Sequence, residues 1–375
     1  MANVSIIPVS SRREQREFID LPWQLYRGDP NWVPPLRLEQ KGLVGFRRHP
    51  FYQTGKVKTF LAQRDGETVG RVAAIVNQVH NDWYKDKLGF FGFFESVDDP
   101  DVAVPLLEQA GDWLRSQGMT GVRGPTNPSI NYEWGLLIDG FDTPPMFMMT
   151  YNRTYYPRLI EAAGFEKVHD MYAYYGHVSM LGSMSEKHRM IDEGIRERFG
   201  VKLRPMDRKN FRAEVEMFLN IYNKALSATW GFVPLTEAEM STLAGQLKHM
   251  IVPDLTLVAE VEGKPIGVIF GLLDYNGRIR EMDGRLFPFR FLKLLTRRKE
   301  IKRMRVVSAN VLPEYQNWGV GITLARGLIE PTLRHGIEEA EFSWVLESND
   351  LSRKTIEKAG GKKYKTYRIY EKSLD

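Results

Sequence analysis

Four short motifs recur in the same order in both halves of the chain, and this internal repeat constrains the fold more than any other feature. Val4-Ser5-Ile6-Ile7-Pro8 returns as Val201-Lys202-Leu203-Arg204-Pro205, an offset of 197 residues from Pro8 to Pro205. Trp32-Val33-Pro34 has a counterpart in Trp230-Gly231-Phe232-Val233-Pro234. Leu61-Ala62-Gln63-Arg64-Asp65-Gly66 parallels Val258-Ala259-Glu260-Val261-Glu262-Gly263, and Leu159-Ile160-Glu161-Ala162-Ala163-Gly164 parallels Thr355-Ile356-Glu357-Lys358-Ala359-Gly360. Solenoid repeats run about 20–50 residues, so a period this long means duplicated domains. A length of 375 residues suits two of them. We expect domains at 1–178 and 201–375, joined by a polar helical connector at 179–200.

Each half offers the same coarse order of elements. An amphipathic helix (14–26; 211–226) leads to a hairpin whose turn is Asp65-Gly66 or Glu262-Gly263. Further strand material, a helix (102–116; 322–335), another strand and a short helix follow. Strands alternating with helices predict an α/β or α+β fold, with a central mixed sheet flanked by helices in each half.

The chain contains no cysteine, which removes disulfides and thiolate nucleophiles together. It shows no stretch of about 20 apolar residues and no basic start followed by an apolar run, so a cytoplasmic protein is expected. The seven histidines have no metal-ligand spacing, and no metal is expected. A net charge of +5 calls for an anionic partner. No nucleic-acid motif accompanies that charge, so no nucleic-acid partner is expected.

Residues 305–336 carry the clearest chemistry. A β-branched strand, 305–311, runs into Leu312-Pro313-Glu314-Tyr315-Gln316-Asn317-Trp318-Gly319-Val320-Gly321, and a helical pattern begins at Ile322. Strand, glycine-bearing loop and helix together offer backbone N–H groups and a positive helix end to phosphates. The spacing Val311-x-Pro313-x-x-Gln316-x-x-Gly319-x-Gly321 resembles the pyrophosphate loop of the GNAT superfamily of acyltransferases. The resemblance implies two tandem GNAT domains and acyl-CoA as co-substrate. It implies that amides from Gln316, Asn317, Trp318, Gly319, Val320, Gly321 and Ile322 hold the pyrophosphate, while Val311 and Leu312 pair with pantetheine through their main chain.

Downstream, the strand 341–349 ends at Asn349 before a short helix, again in the family's manner. Many members place a Tyr acid seven residues after that Asn; here the position is Ile356. Tyr364, Tyr367 or solvent would have to protonate the leaving thiolate instead. Glu347 is the first candidate for the general base, with Glu281 and Asp283 behind it, and Asn349 and Asn310 could hold the substrate or thioester. Tyr222, Asn223 and Trp230 are candidates for the acceptor pocket.

The corresponding stretch of the first half, Glu95-Ser96-Val97-Asp98-Asp99-Pro100-Asp101, has four carboxylates and no Gly-x-Gly. It would repel a pyrophosphate but suits a helix N-terminus, so the first half reads as a degenerate GNAT copy. Its Pro/Gly/Asn-punctuated segment 121–156 could either wall a substrate pocket or pack the molecule. Residues 285–305 mix three Phe with dense Lys/Arg, the pattern of a basic amphipathic helix at a membrane surface, or of an ordinary packed helix.

The whole chain looks similar to bacterial tandem-GNAT N-acyltransferases, among them the bacterial ceramide synthases. That likeness implies an acyl-CoA donor and an amine acceptor, favoured as a lipid amine such as a sphingoid base. It also allows peripheral contact with the cytoplasmic membrane through 285–305. Acetyl transfer to a small-molecule or protein amine, and CoA binding without turnover, are the open alternatives.

Overall fold

The computed structural model describes residues 4–183, 186–286 and 288–375, with the side chains of 181–183, 186–188 and 295 also outside it. Met184 and Ser185 of the expected connector and Phe287 of the Phe-rich segment therefore lie outside the described residues.

The chain forms two compact units that are not two contiguous halves. One comprises Met1–Met171 with Gly277–Arg290 and Lys365–Asp375; the other comprises Tyr172–Asn276 and Phe291–Tyr364.

In the first unit the strands Val4–Pro8, Lys56–Arg64, Glu67–Val76 and Leu88–Ser96 pair antiparallel in turn. Leu88–Ser96 then pairs parallel with Gly121–Gly124. The C-terminal strand residues Tyr370–Ser373 continue antiparallel on Gly121–Gly124, and Thr366–Arg368 pair with the strand Leu136–Asp139. The hairpin turn is built on Asp65 (φ 52) and Gly66 (φ 82), two left-handed residues that match the twist of the flanking strands. Helix Pro100–Ser116 buries Val102, Leu106, Leu107 and Leu114 against Val72, Ala74 and Phe91 of the sheet, and its residues recur at helical spacing for that reason.

The second unit repeats the plan. Lys202–Pro205, Thr256–Val261, Lys264–Leu273 and Arg303–Val311 pair antiparallel, and Arg303–Val311 pairs parallel with Glu339–Leu346. The hairpin turn again uses two left-handed residues, Glu262 (φ 50) and Gly263 (φ 76). Helix Phe211–Ala225 packs Ile221, Met217 and Phe218 onto Val258 and Val268. Helices Val320–Gly327, Ile329–Arg334 and Asp350–Lys358 complete the layers.

The basic amphipathic helix expected over 285–305 does not form. The described residues there hold only one helical turn, Leu292–Leu295, and a tight turn, Arg298–Glu300. Thr296 is extended and Arg297 left-handed (φ 49), which stops the helix after a single turn. No described helix is long and apolar enough to cross a membrane.

Candidate active site

The second unit opens its sheet at one place. The parallel ladder runs from Arg303↔Glu339 to Val306↔Phe342, and no pairing between the two strands continues beyond it, although they extend to Val311 and Leu346. On the other side of Arg303–Val311, Phe270 faces Ser308 and Gly271 faces Val306, so Val307 is a bulged extra residue. A bulge bends its strand and increases its local twist, which accounts for the parting.

At the open end sits the predicted loop. Pro313–Trp318 makes a tight helical turn, Gly319 takes φ 80, and helix Val320–Gly327 begins directly after it. A side chain at Gly319 would be strained by that φ, and its Cβ would stand 2.8 Å from Ile195 Cδ1. Gly321 is exposed, and a Cβ there meets nothing within 4 Å. No side chain caps the first turn of this helix. The positive end of the helix dipole lies at its leading amides.

The loop is pinned from both sides. Gln316 Nε2 donates to the Val311 carbonyl at 3.1 Å, and the Leu312 N–H donates to Ile266 O at 2.9 Å. Leu312 and Tyr315 pack onto the cluster around Ile221. Trp318 stacks on Phe199 of helix Glu186–Phe199 at 4.4 Å and meets the edge of Tyr315 at 4.8 Å. Val320 is fully buried, whereas Gln316 and Asn317 are exposed. Asn310 is buried on the strand, and its Nδ2, like Ser308 Oγ and Thr323 Oγ1, has no hydrogen-bond partner. Orphaned polar groups beside an uncapped helix start fit a ligand with phosphate and amide groups.

The strands also bring together four side chains that sequence reasoning did not group. Arg305 and Glu341 are both fully buried. Arg305 Nε donates to Ser343 Oγ at 2.8 Å, and Ser343 Oγ donates to Glu341 Oε1 at 2.5 Å. The Tyr364 hydroxyl donates to Glu341 Oε2. The Arg305 guanidinium lies 4.9 Å from the centre of the Trp344 ring. Alternation along a strand puts Glu341 and Ser343 on one face, a signal present in the sequence, but only the pairing of strands adds Arg305. Burying both charges costs desolvation that this hydrogen-bonded arrangement offsets, and removing one partner would cost about 3–5 kcal/mol.

The other sequence candidates have definite places. Asn349 caps helix Asp350–Lys358, its Oδ1 accepting from the Ser352 N–H at 3.1 Å. The Glu347 carbonyl accepts from Arg353 at 2.8 Å, which ties the strand end to that helix. Asn223 clamps the backbone of Leu235, giving Nδ2 to its carbonyl and accepting its N–H at Oδ1, each at 3.0 Å. Tyr222 is half-buried between Phe218 and Phe232; burial first, then the Glu239 carboxylate, pushes its phenol up to about 12. Trp230 is half-buried in the chain just ahead of Phe232. Tyr367 is fully buried in the first unit. Asp283 also belongs to the first unit, where its Oδ1 accepts from Trp23 Nε1 at 2.7 Å; Glu281 lies beside it in the chain. Among the described residues no group of three or more His, Asp or Glu side chains could hold a metal.

This open sheet, glycine turn and uncapped helix, set in a duplicated mixed α/β plan, are those of a tandem GNAT fold. A tandem GNAT protein from the clavulanic acid biosynthesis pathway superposes with a TM-score of 0.59, covering 100% of this chain and 99% of that one at 11% identity. A probable N-acyltransferase from Enterococcus faecalis superposes with a TM-score of 0.54, over 100% of this chain and 73% of that one, also at 11% identity. No protein-family model matches the chain. Its sequence is 38% identical to the bacterial ceramide synthase of Caulobacter vibrioides over 100% of this chain and 98% of that protein. It is 35% identical to Protein YghO of Escherichia coli over 97% of this chain and 94% of that protein. The chain belongs to the family of these two proteins.

Proposed function

We propose that the protein transfers a long acyl group from acyl-CoA to the primary amine of a lipid such as a sphingoid base, forming an amide. The observation that carries this reading is the full-length relationship to a bacterial ceramide synthase. In this reading the turn from Gln316 to Gly321 faces the pyrophosphate, while the Ile322 N–H donates to the Gly319 carbonyl at 2.8 Å, and the parted strands receive the pantetheine arm. Ser308 and Asn310 supply the polar side chains beside it.

Tyr364 passes to the departing thiolate the proton that its hydroxyl shares with Glu341 in the resting site, and regains one from solvent; Glu341, held by Ser343 and Arg305, is the positioning residue that keeps the phenol in place. Glu347, at the end of strand Glu339–Leu346, takes the proton from the attacking amine. Leu292, 46% exposed, precedes Arg297, Arg298 and Lys299 in the second unit, a combination suited to an anionic bilayer surface. Cosedimentation with anionic but not neutral vesicles is the expected behaviour, and equal recovery with both would remove that contact.

The function is tested by turnover across acetyl-, octanoyl- and palmitoyl-CoA, with a sphingoid base and with soluble amines as acceptors. Turnover confined to long acyl chains and the lipid amine is expected. Acetyl transfer to a soluble amine would replace this reading with a general acetyltransferase. Binding of acyl-CoA without any turnover would leave a CoA-binding module.

A further inference from the structure

The second unit contains a cavity of about 150 Å³ behind the strands Arg303–Val311 and Glu339–Leu346. Val306 and Phe342 form its wall at the sheet, and they are also the last pair of the parallel ladder before the strands part. Ala325, Leu328 and Ile329, from the two helices that follow the glycine turn, form the opposite wall. Ile356, where the family resemblance places a Tyr acid, closes one side with Ala359. The cavity thus adjoins both the opening in the sheet and the position expected beside the thioester.

Its chemistry is that of a hydrocarbon site. Each polar side chain around it has a partner. His177 Nδ1 is 2.8 Å from Ser179 Oγ, Thr332 donates to Met304 Sδ at 3.5 Å, and Thr355 donates to the Leu351 carbonyl at 2.7 Å. Glu338 and Glu339 pair with Lys302 at 3.6 Å and Arg303 at 3.2 Å. What remains to face the space is aliphatic or aromatic, and apolar cavities stay dry and accept apolar guests. The Gly176 Cα has no side chain to intrude; a Cβ there would come to 3.5 Å from the Phe342 ring.

We propose that this cavity, whose volume suits an apolar guest about the size of benzene, receives a segment of the hydrocarbon chain of the acyl donor, and that Ile356, Phe342 and Leu328 shape the length accepted. The proposal rests on the acyl-CoA reading above and adds the place of the chain. A Tyr at 356 would put a polar hydroxyl and extra bulk at this wall, and the aliphatic residue leaves the passage apolar. The donor's chain is favoured over the acceptor's because Ala325, Leu328 and Ile329 lie on the helices that continue from the proposed pyrophosphate turn.

The test compares wild type with Ile356→Trp, which fills the cavity, and Phe342→Ala, which enlarges it. Acyl length is varied at a fixed amine, and amine chain length at a fixed acyl group. Ile356→Trp is expected to lower the ratio of palmitoyl- to octanoyl-CoA turnover at least tenfold, and Phe342→Ala to move the optimum to longer chains. The amine profile is expected to stay put. Where thermal melts show that the Trp variant does not fold, Ala359→Leu is the milder fill. An unchanged acyl profile in the folded variants, or a shift in the amine profile alone, would overturn the cavity assignment while leaving the acyltransferase reading intact. A wild-type protein that turns over no acyl-CoA would overturn both.

Discussion

The two units carry the same strand-turn-helix step and finish it in opposite ways. In the first, strand Leu88–Ser96 leads to helix Pro100–Ser116, and Asp99 caps the helix with its own carboxylate, Oδ1 accepting from the Asp101 N–H at 2.9 Å. Arg64 binds the other oxygen of Asp99 at 2.5 Å, and Asp98 pairs with Arg158. The positive helix end is already occupied by protein anions. In the second unit strand Arg303–Val311 leads to helix Val320–Gly327 through Gly319, with no side-chain cap and an open position at Gly321. A duplicated scaffold keeps a helix end for structure when it supplies the anion itself, and leaves it for a ligand when it does not.

The largest effect expected from breaking this contrast is at Gly321. A carboxylate about 4 Å from a pyrophosphate at an effective dielectric near 20 costs about 4 kcal/mol, so Gly321→Glu should weaken acyl-CoA binding about a thousandfold. Gly321 has open space around it, so the melting temperature should stay near wild type; calorimetric titration and a thermal melt check both. Unaltered affinity would sink the loop assignment.

Tyr364→Phe comes next. It removes the hydroxyl but leaves the Arg305–Glu341 pair intact, so turnover should fall roughly 100-fold, the scale of a lost proton donor, with donor affinity retained. Steady-state kinetics beside equilibrium binding distinguish this from a packing defect, which would move both.

In the first unit Asp99→Ala should cost about 1 kcal/mol of stability, as the loss of a helix cap does. Donor affinity should not change. A loss of acyl-CoA binding there would mean that the two ends are not divided as described.

The smallest effect is the pH dependence of that cap. The hydrogen bond from Arg64, followed by the Asp101 N–H, holds the Asp99 carboxyl below its usual range. Its contribution is therefore fully present above the ordinary aspartate value, near 3.9, and is lost as pH falls through the lowered native value. The stability gap between wild type and Asp99→Asn should be steady from neutral pH down to about 4 and shrink below it. A gap that widened on acidification would contradict this.

Much of this was legible in the sequence because it depends on neighbours along the chain. Asp65-Gly66 and Glu262-Gly263 specify their turns locally, and the Pro313, Gln316, Gly319 and Gly321 spacing specifies a strand-loop-helix step. The acidic run 95–101 reads as a helix cap because Asp99 sits directly before Pro100, a favoured first residue. Residues 365–375, which join the first unit, have no local signal, because their partners lie more than two hundred residues earlier. The Arg305, Glu341, Ser343 and Tyr364 group depends likewise on the pairing of strands far apart in the chain. The failed helix at 285–305 shows the reverse error. Its composition suits an amphipathic helix, but the backbone turns extended at Thr296 and left-handed at Arg297.

The most direct test of the central claim is calorimetric titration of palmitoyl-CoA, below its critical micelle concentration, into wild-type protein and Gly321→Glu. One molecule bound per chain, and none to the variant, is the predicted result. Two molecules per chain, or undiminished binding by Gly321→Glu, would contradict the assignment of the donor to the second unit.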